Sequence, residues 1–277
     1  MKRNIYKSLK ITTQGKKKAD VGFTLIELLL AASLMGIVIT VSGWGLSAIL
    51  LANARGEAES VVSNNLARAI DFISDDIKTA NSASTTPPSN VWTDLGHASA
   101  SAKLYLQIPI KNIESFPSVG ISTFTINSHG LANGDPVILA GSGTLPAPFV
   151  KNSVYYVINT ATNTFDLSTT VGGSAVVATS AGTGTIVANN LVIYYIRDNT
   201  GTWLDPKTVN RSNGPCSTAT KCYALVDAIA DDGFGFTATV TNSRQVNLSL
   251  KGRLNKNNNN KSTTTLSTQA FVRNTPP

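Results

Sequence analysis

From Leu28 to Ala54 the chain carries no charged side chain. That run is about 27 residues, roughly 40 Å as a helix at ~1.5 Å per residue, enough to cross a ~30 Å hydrocarbon core with some tilt. One charge, Glu27, stands at its entrance within the stretch GFTLIELLLAASLMGIVITVSGWGLSAILLANA, Gly22 to Ala54. A carboxylate in lipid is expensive, so it asks for a function and a partner. A signal peptide would have a basic n-region, a shorter apolar region and a small-residue cleavage site. This run is about twice that length, and no A-x-A-like site directly follows it. A plain anchor fits the length but gives Glu27 and Gly22 no role.

A third reading uses every residue. Lys16-Lys17-Lys18-Ala19-Asp20-Val21-Gly22, followed by Phe23-Thr24-Leu25-Ile26-Glu27, resembles the class III signal of type IV prepilins and pseudopilins. The resemblance implies that residues 1–22 are a leader and that a membrane prepilin peptidase cuts between Gly22 and Phe23. It also implies N-methylation of the new terminus at Phe23. Glycine suits a scissile position because it admits a strained backbone. The Phe23 amine, with a reference pKa of ~7.7–8.0, is the natural counter-charge for Glu27 of a neighbouring subunit. Other pilin or pseudopilin subunits, an inner-membrane assembly platform and membrane lipid are the partners so implied.

The net charge of +7 and pI of 9.4 suggest nucleic acid at first sight. The distribution removes that suggestion. Residues 1–22 hold Lys2, Arg3, Lys7, Lys10, Lys16, Lys17 and Lys18 against Asp20, which leaves 23 − 7 = 16 basic and 16 − 1 = 15 acidic residues in the rest. The positive charge sits before the apolar run, where it keeps residues 1–22 cytoplasmic and sends the body across the membrane. No nucleic-acid partner is expected. The localisation expected is the inner membrane, single-pass, and then a periplasmic or cell-surface filament.

After Ala54 the pattern becomes amphipathic. Ala58, Val62, Leu66, Ala69, Ile70, Ile73 and Ile77 recur at three- and four-residue spacing, opposite Arg55, Glu59, Ser63, Arg68, Asp71, Asp75 and Lys78. The spacing predicts one helix from about Phe23 to about Ala80, roughly 85 Å long. Gly36, Gly43 and Gly45 mark places where it loosens or where neighbouring helices approach. Asp71, Asp75 and Asp76 read as a solvated face, with contact to a partner subunit as the alternative. Asn81 to Asn90, NSASTTPPSN, reads as a loop that ends the helix.

Strand composition then dominates. Leu104–Ile110, Leu191–Arg197, Phe234–Val240 and Val246–Leu250 are strand candidates, the last two joined by a hairpin turn at Thr241–Arg244. Ala270–Asn274 is a candidate edge strand, and Asn255–Lys261 is low in complexity and reads as a loop tip. A long helix before a meander sheet is similar to pilin and pseudopilin heads. Tyr194-Tyr195-Ile196-Arg197, Leu225–Ile229, Val246–Leu250 and Ala270–Asn274 resemble the larger minor members at filament tips. The long leader is compatible with pseudopilins of cyanobacterial polysaccharide secretion. From about Pro117 to Ala188 the sequence is rich in Thr, Ser, Gly and Val with hardly any charge. Short strands are predicted at 123–126, 136–139, 154–158, 164–167 and 184–187. Here His129-Gly130-Leu131, Gly134-Asp135, Tyr155-Tyr156-Val157 and Phe165-Asp166-Leu167 resemble a small all-β module of phage tail and bacterial surface proteins.

Cys216 and Cys222 lie six positions apart in the exported part. In an oxidising compartment they pair, closing a small loop worth about 2 kcal/mol. A metal site is the alternative, but two cysteines give too few ligands, and His97 and His129 are isolated. Asp227, Asp231 and Asp232 with Gly233 read as a turn rather than a calcium loop. No catalytic motif, cofactor motif or metal-ligand spacing appears, so no catalytic residue, cofactor or metal is assigned and no enzyme activity is expected.

The fold expected is α+β: a long N-terminal helix, transmembrane and then amphipathic, packed on an antiparallel sheet head with an all-β insertion. The divisions are 1–22 leader, 23–54 transmembrane and assembly helix, 55–116 amphipathic helix and start of the head, 117–188 inserted β module, and 189–277 the rest of the head. The function expected is a minor type IV pilin or pseudopilin with a priming or tip role. The alternative is a membrane-anchored surface adhesion or binding protein that uses the insertion.

Overall fold

The computed structural model describes residues 22–86, 88, 91–96, 101–198, 204, 206–216, 221–242, 244–253 and 263–273. His97 and the Asn255–Lys261 tract lie outside them. The chain divides into two compact units, residues 1–54 and 55–277. One helix, α1 (Leu25–Thr79), runs through both.

Within the first unit α1 is exposed on every side, from Leu25 at 82% to Trp44 at 81%. An 18-residue window there has a mean hydropathy of 2.2, the one span among the described residues long and apolar enough to cross a membrane. Three of its hydroxyls bond back to the helix. Ser33 donates to the Leu29 and Leu30 carbonyls, Thr40 to those of Gly36 and Ile37, and Ser47 to that of Trp44. Such back-bonding gives these three hydroxyls an acceptor within the helix itself. The helix passes through Gly36, Gly43 and Gly45 without a break.

In the second unit α1 buries Val62, Leu66, Ala69, Ile70, Ile73 and Ile77, the stripe its periodicity predicts. Ala58 departs from the expectation and is exposed, since packing begins one turn later. After α1 come β1 (Ser82–Ser84), α2 (Val91–Asp94), β2 (Ser101–Asn112), β3 (Phe124–Thr125), β4 (Pro136–Ala140), β5 (Val154–Ile158), β6 (Thr164–Ser168) and β7 (Val187–Asp198). They are followed by β8 (Lys207–Ser212), β9 (Cys222–Ile229), β10 (Phe236–Thr241), β11 (Gln245–Arg253) and β12 (Thr263–Phe271). The class is α+β with antiparallel pairing throughout. The loop expected at Asn81–Asn90 contains β1, which pairs with β2 at Ser82↔Gln107. The strand expected at 184–187 begins only at Val187. Strands β8 and β9 were not foreseen as a pair, because KTVNRS is too polar to read as buried.

Strand β7 is the spine. Antiparallel β2 lies along one side of it, from Ser101↔Ile196 to Asn112↔Val187. On its other side β8 takes residues 193–198 and β4 takes residues 187–190. Side chains of β7 alternate between two cores. Val192, Tyr194 and Ile196 join the α1 stripe, while Leu191, Ile193 and Tyr195 pack with Val91, Leu95, Tyr105, Ile138 and Tyr156. Burial on both faces explains the unbroken apolar run LVIYYI. The segment between β2 and β7 has its own cluster around Phe124, Phe149, Phe165, Val137, Val157 and Leu167. It is nevertheless joined to the head by a shared strand rather than a linker. Buried Asn189 of β7 accepts from Asn81 Nδ2 (2.7 Å) and donates to the Ile138 carbonyl (3.3 Å), tying head, spine and β4 at one point.

Strand β11 alternates, with Val246, Leu248 and Leu250 turned to the core. At Gly252 a Cβ would lie 2.6 Å from Val62 Cγ1 and 3.0 Å from Leu66 Cδ1. Glycine there lets α1 approach the sheet closely.

Candidate functional site

At the start of α1, Thr24 is the N-cap. Glu27 Oε2 accepts from both the Thr24 N–H and the Thr24 hydroxyl at 3.0 Å, and the Thr24 hydroxyl oxygen accepts from the Glu27 N–H at 3.3 Å. This is a reciprocal capping box, which satisfies donors that a helix terminus otherwise leaves open. The T-x-x-E spacing of Thr24 and Glu27 is the sequence signal of this cap. Glu27 Oε1 takes no bond among the described residues. Phe23 is 84% exposed, and nothing lies within 4 Å of where a Gly22 side chain would start. The Gly22–Phe23 peptide therefore lies open, just ahead of the first helical turn.

A second cluster sits where α1 meets the sheet in the second unit. Asp76 Oδ2 accepts from Arg211 Nε at 2.8 Å and from the Tyr194 hydroxyl at 2.5 Å. The Asp76 and Arg211 side chains are only 19% and 13% exposed. The Arg211 guanidinium also lies 5.8 Å from the ring centres of Phe72 and Tyr223. Burial works against its charge, but the Asp76 carboxylate together with the hydroxyls of Tyr194 and Tyr223 raises its pKa above the ordinary value. Burial, reinforced by that same carboxylate, pushes the Tyr194 hydroxyl well above its usual range. The reading of Asp76 as part of a solvated face is corrected here: it flanks the buried stripe and bonds the sheet. Asp71 and Asp75 do face solvent. Beside the cluster, Asn65, Arg68, Ala69 and Phe72 of α1 and Leu225, Val226 and Asp227 of β9 line an open groove.

Cys216 and Cys222 form a disulfide, Cα to Cα 5.0 Å, as expected. The loop it closes is fixed to the segment between β2 and β7 by an ion pair, Lys221 Nζ to Asp135 Oδ2 at 2.8 Å, with Asp135 only 1% exposed. A Cβ at Gly214 would lie 2.7 Å from Asp135 Oδ1, so this contact also needs a glycine. His129 is buried, its Nδ1 accepts from the Leu131 N–H at 3.0 Å, and its ring meets Phe165 edge-on at 5.1 Å. It is a turn residue. Asp231 pairs with Arg253 and Asp232 with Lys251, while Asp227 accepts from the Leu204 N–H. Among the described residues no group of three His, Cys, Asp or Glu side chains is arranged to hold a metal ion.

No protein-family model, no curated protein and no solved structure matches this chain.

Proposed function

We propose that this chain is a non-enzymatic subunit of a type IV pilus or secretion pseudopilus, a minor pilin or pseudopilin. In this reading it is cleaved between Gly22 and Phe23, N-methylated at Phe23 and assembled through α1. The observation that carries it is a helix apolar on all sides from Leu28 to Ala54, entered by one carboxylate and continued into a β-sheet head. A helix hydrophobic all round needs lipid or other helices as cover. The two oxygens of Glu27 divide the work. Oε2 caps its own helix, and Oε1 is left for the Phe23 amine of a neighbouring subunit. Stacking of such helices is heterologous and does not close, as a filament requires. The leader would stay cytoplasmic, and the platform and peptidase of the inner membrane would be its first partners.

The test compares wild type, Glu27→Val and Thr24→Ala in membrane and sheared-filament fractions at equal expression. Removing Glu27 takes away an acid at the edge of the apolar run, so membrane insertion should hold or improve. Filament incorporation should nevertheless collapse in Glu27→Val, while Thr24→Ala, which loses only the cap, should incorporate at a reduced level. Mass spectrometry should find a terminus at Phe23, abolished in Gly22→Val. Equal incorporation of wild type and Glu27→Val would instead favour a membrane-anchored binding protein. The separate hydrophobic cluster between β2 and β7 is the observation on that reading's side.

A further inference from the structure

The loop that the disulfide closes between β8 and β9 reaches α2, β7 and the turn that precedes β4. The Cys216 N–H donates to the carbonyl of Leu95, just past α2, at 3.2 Å. The Tyr195 hydroxyl of β7 lies 3.6 Å from Cys216 Sγ. Lys221 Nζ reaches Asp135 Oδ2 at 2.8 Å, and Pro215 sits against Gly134, where a Cβ would come within 2.6 Å of the proline Cγ. Helix α2 has four residues, too few to hold a helix by themselves. Val91 and Leu95 are nevertheless buried against Leu191, Ile193 and Tyr195. Besides that packing, α2 is held by the Cys216 bond and by the Tyr156 hydroxyl, which donates to Asp94 Oδ2 at 2.8 Å. Asp135 is buried too. Its Oδ2 accepts from Lys221 and from the Ala132 N–H at 2.9 Å, while its Oδ1 has no partner among the described residues. A carboxylate so placed stays inside only while its counter-ion does.

We propose that the Cys216–Cys222 disulfide is a redox latch: oxidised, it holds α2 and the turn Ala132–Asp135 on the sheet, and reduced, it releases both while the core under α1 stays closed. Both cysteines are half-buried, so a dithiol reductant reaches their bond in the folded chain. One thiolate of the dithiol attacks a sulfur and its second thiol resolves the mixed disulfide. Two electrons and two protons end on Cys216 and Cys222 as thiols, and the reductant leaves as a disulfide. A disulfide oxidant runs the same exchange backwards. With the bond gone, the loop regains the freedom that closure denies it. The Cys216 N–H is then no longer kept opposite Leu95, nor Lys221 opposite Asp135. The uncompensated carboxylate turns to water and draws Ala132–Asp135 with it. The β8–β9 ladder from Arg211↔Tyr223 onward remains, and the core under α1 shares no residue with the face that α2 covers. The release is therefore local. The proposal does not depend on the filament reading.

The test is amide hydrogen exchange, read by mass spectrometry on the full chain in nanodiscs with and without dithiothreitol. Alkylation of both thiols confirms reduction. Reduction should speed exchange about tenfold or more in peptides 91–96 and 131–136, and leave 62–79 and 246–250 unchanged. Cys216→Ser/Cys222→Ser should exchange at the reduced rates whether or not the dithiol is present. Lys221→Met keeps the disulfide but loses the ion pair, so it should open 131–136 alone, with 91–96 slow until dithiothreitol is added. Asp135→Asn/Lys221→Met removes the buried charge and keeps an acceptor for the Ala132 N–H. In that variant reduction should open 91–96 and leave 131–136 slow. A bond that dithiothreitol cannot reduce in the folded chain, or exchange that reduction leaves unchanged, would overturn the proposal. A rise spread evenly over all four peptides would do the same, because the disulfide would then be a general stabiliser. So would slow exchange of 131–136 in oxidised Lys221→Met.

Discussion

Replacing Asp76 by alanine tests how α1 is held to the sheet. The carboxylate is the common acceptor for Arg211 Nε and the Tyr194 hydroxyl. Its loss leaves a guanidinium between two rings and a buried hydroxyl without their acceptor. Breaking a fully buried pair costs ~3–5 kcal/mol, and hydrogen bonds to charged groups contribute ~1.5–3 kcal/mol each. Exposures of 19% and 13% admit some water and favour the lower part of that range. About 3 kcal/mol is expected, a fall in Tm of ~6–12 °C at ~2–4 °C per kcal/mol. The assay is thermal unfolding followed by near-ultraviolet circular dichroism on the detergent-solubilised full chain. Asp76→Asn, Arg211→Met and their combination form a double-mutant cycle, with a coupling of ~1 kcal/mol or more expected. A fall below 2 °C for Asp76→Ala would refute the reasoning. So would a coupling within ~0.5 kcal/mol of zero, the range for independent sites.

Burial pushes the hydroxyls of Tyr156, Tyr194 and Tyr195 upward and that of Tyr105 up to about 12. Their contribution to stability is full below the unfolded value near ~10 and is lost as pH rises through the folded values. Tyrosinate absorbance should therefore show these four ionising late, together with alkaline unfolding; all seven tyrosines titrating near pH 10 would contradict this. Gly252→Val should destabilise by ~1–3 kcal/mol, because its side chain would overlap Val62, whereas Gly252→Val with Val62→Ala should recover part of the loss in the same melt. Joining Asn112 to Val187 by a two-residue turn should leave β2 paired with β7, since these residues already face each other. The shortened chain should melt cooperatively but lose ~2–5 kcal/mol or more, because Ile138 and Tyr156 no longer cover Leu191, Ile193 and Tyr195. Aggregation without a transition would show that the whole segment is needed to fold the head.

The sequence alone determined the local features. The span of α1 and its buried stripe follow from an uncharged run and a helical period, and both depend on near neighbours in the chain. The hairpin at Thr241–Arg244, most strands between β2 and β7, and the Cys216–Cys222 pair were legible for the same reason. Tertiary structure decided what depends on distant partners. Asp76 looks like any surface acid on a helix until Tyr194 and Arg211, more than a hundred residues away, arrive beside it. The polar strand β8 becomes a strand because β7 and β9 flank it. The segment read as an inserted β module shares β7 with the head, since one strand has two hydrogen-bonding edges and the sequence does not say which neighbours take them. Periodicity records which face of an element is apolar, and only the assembled sheet fixes what that face and each open edge meet.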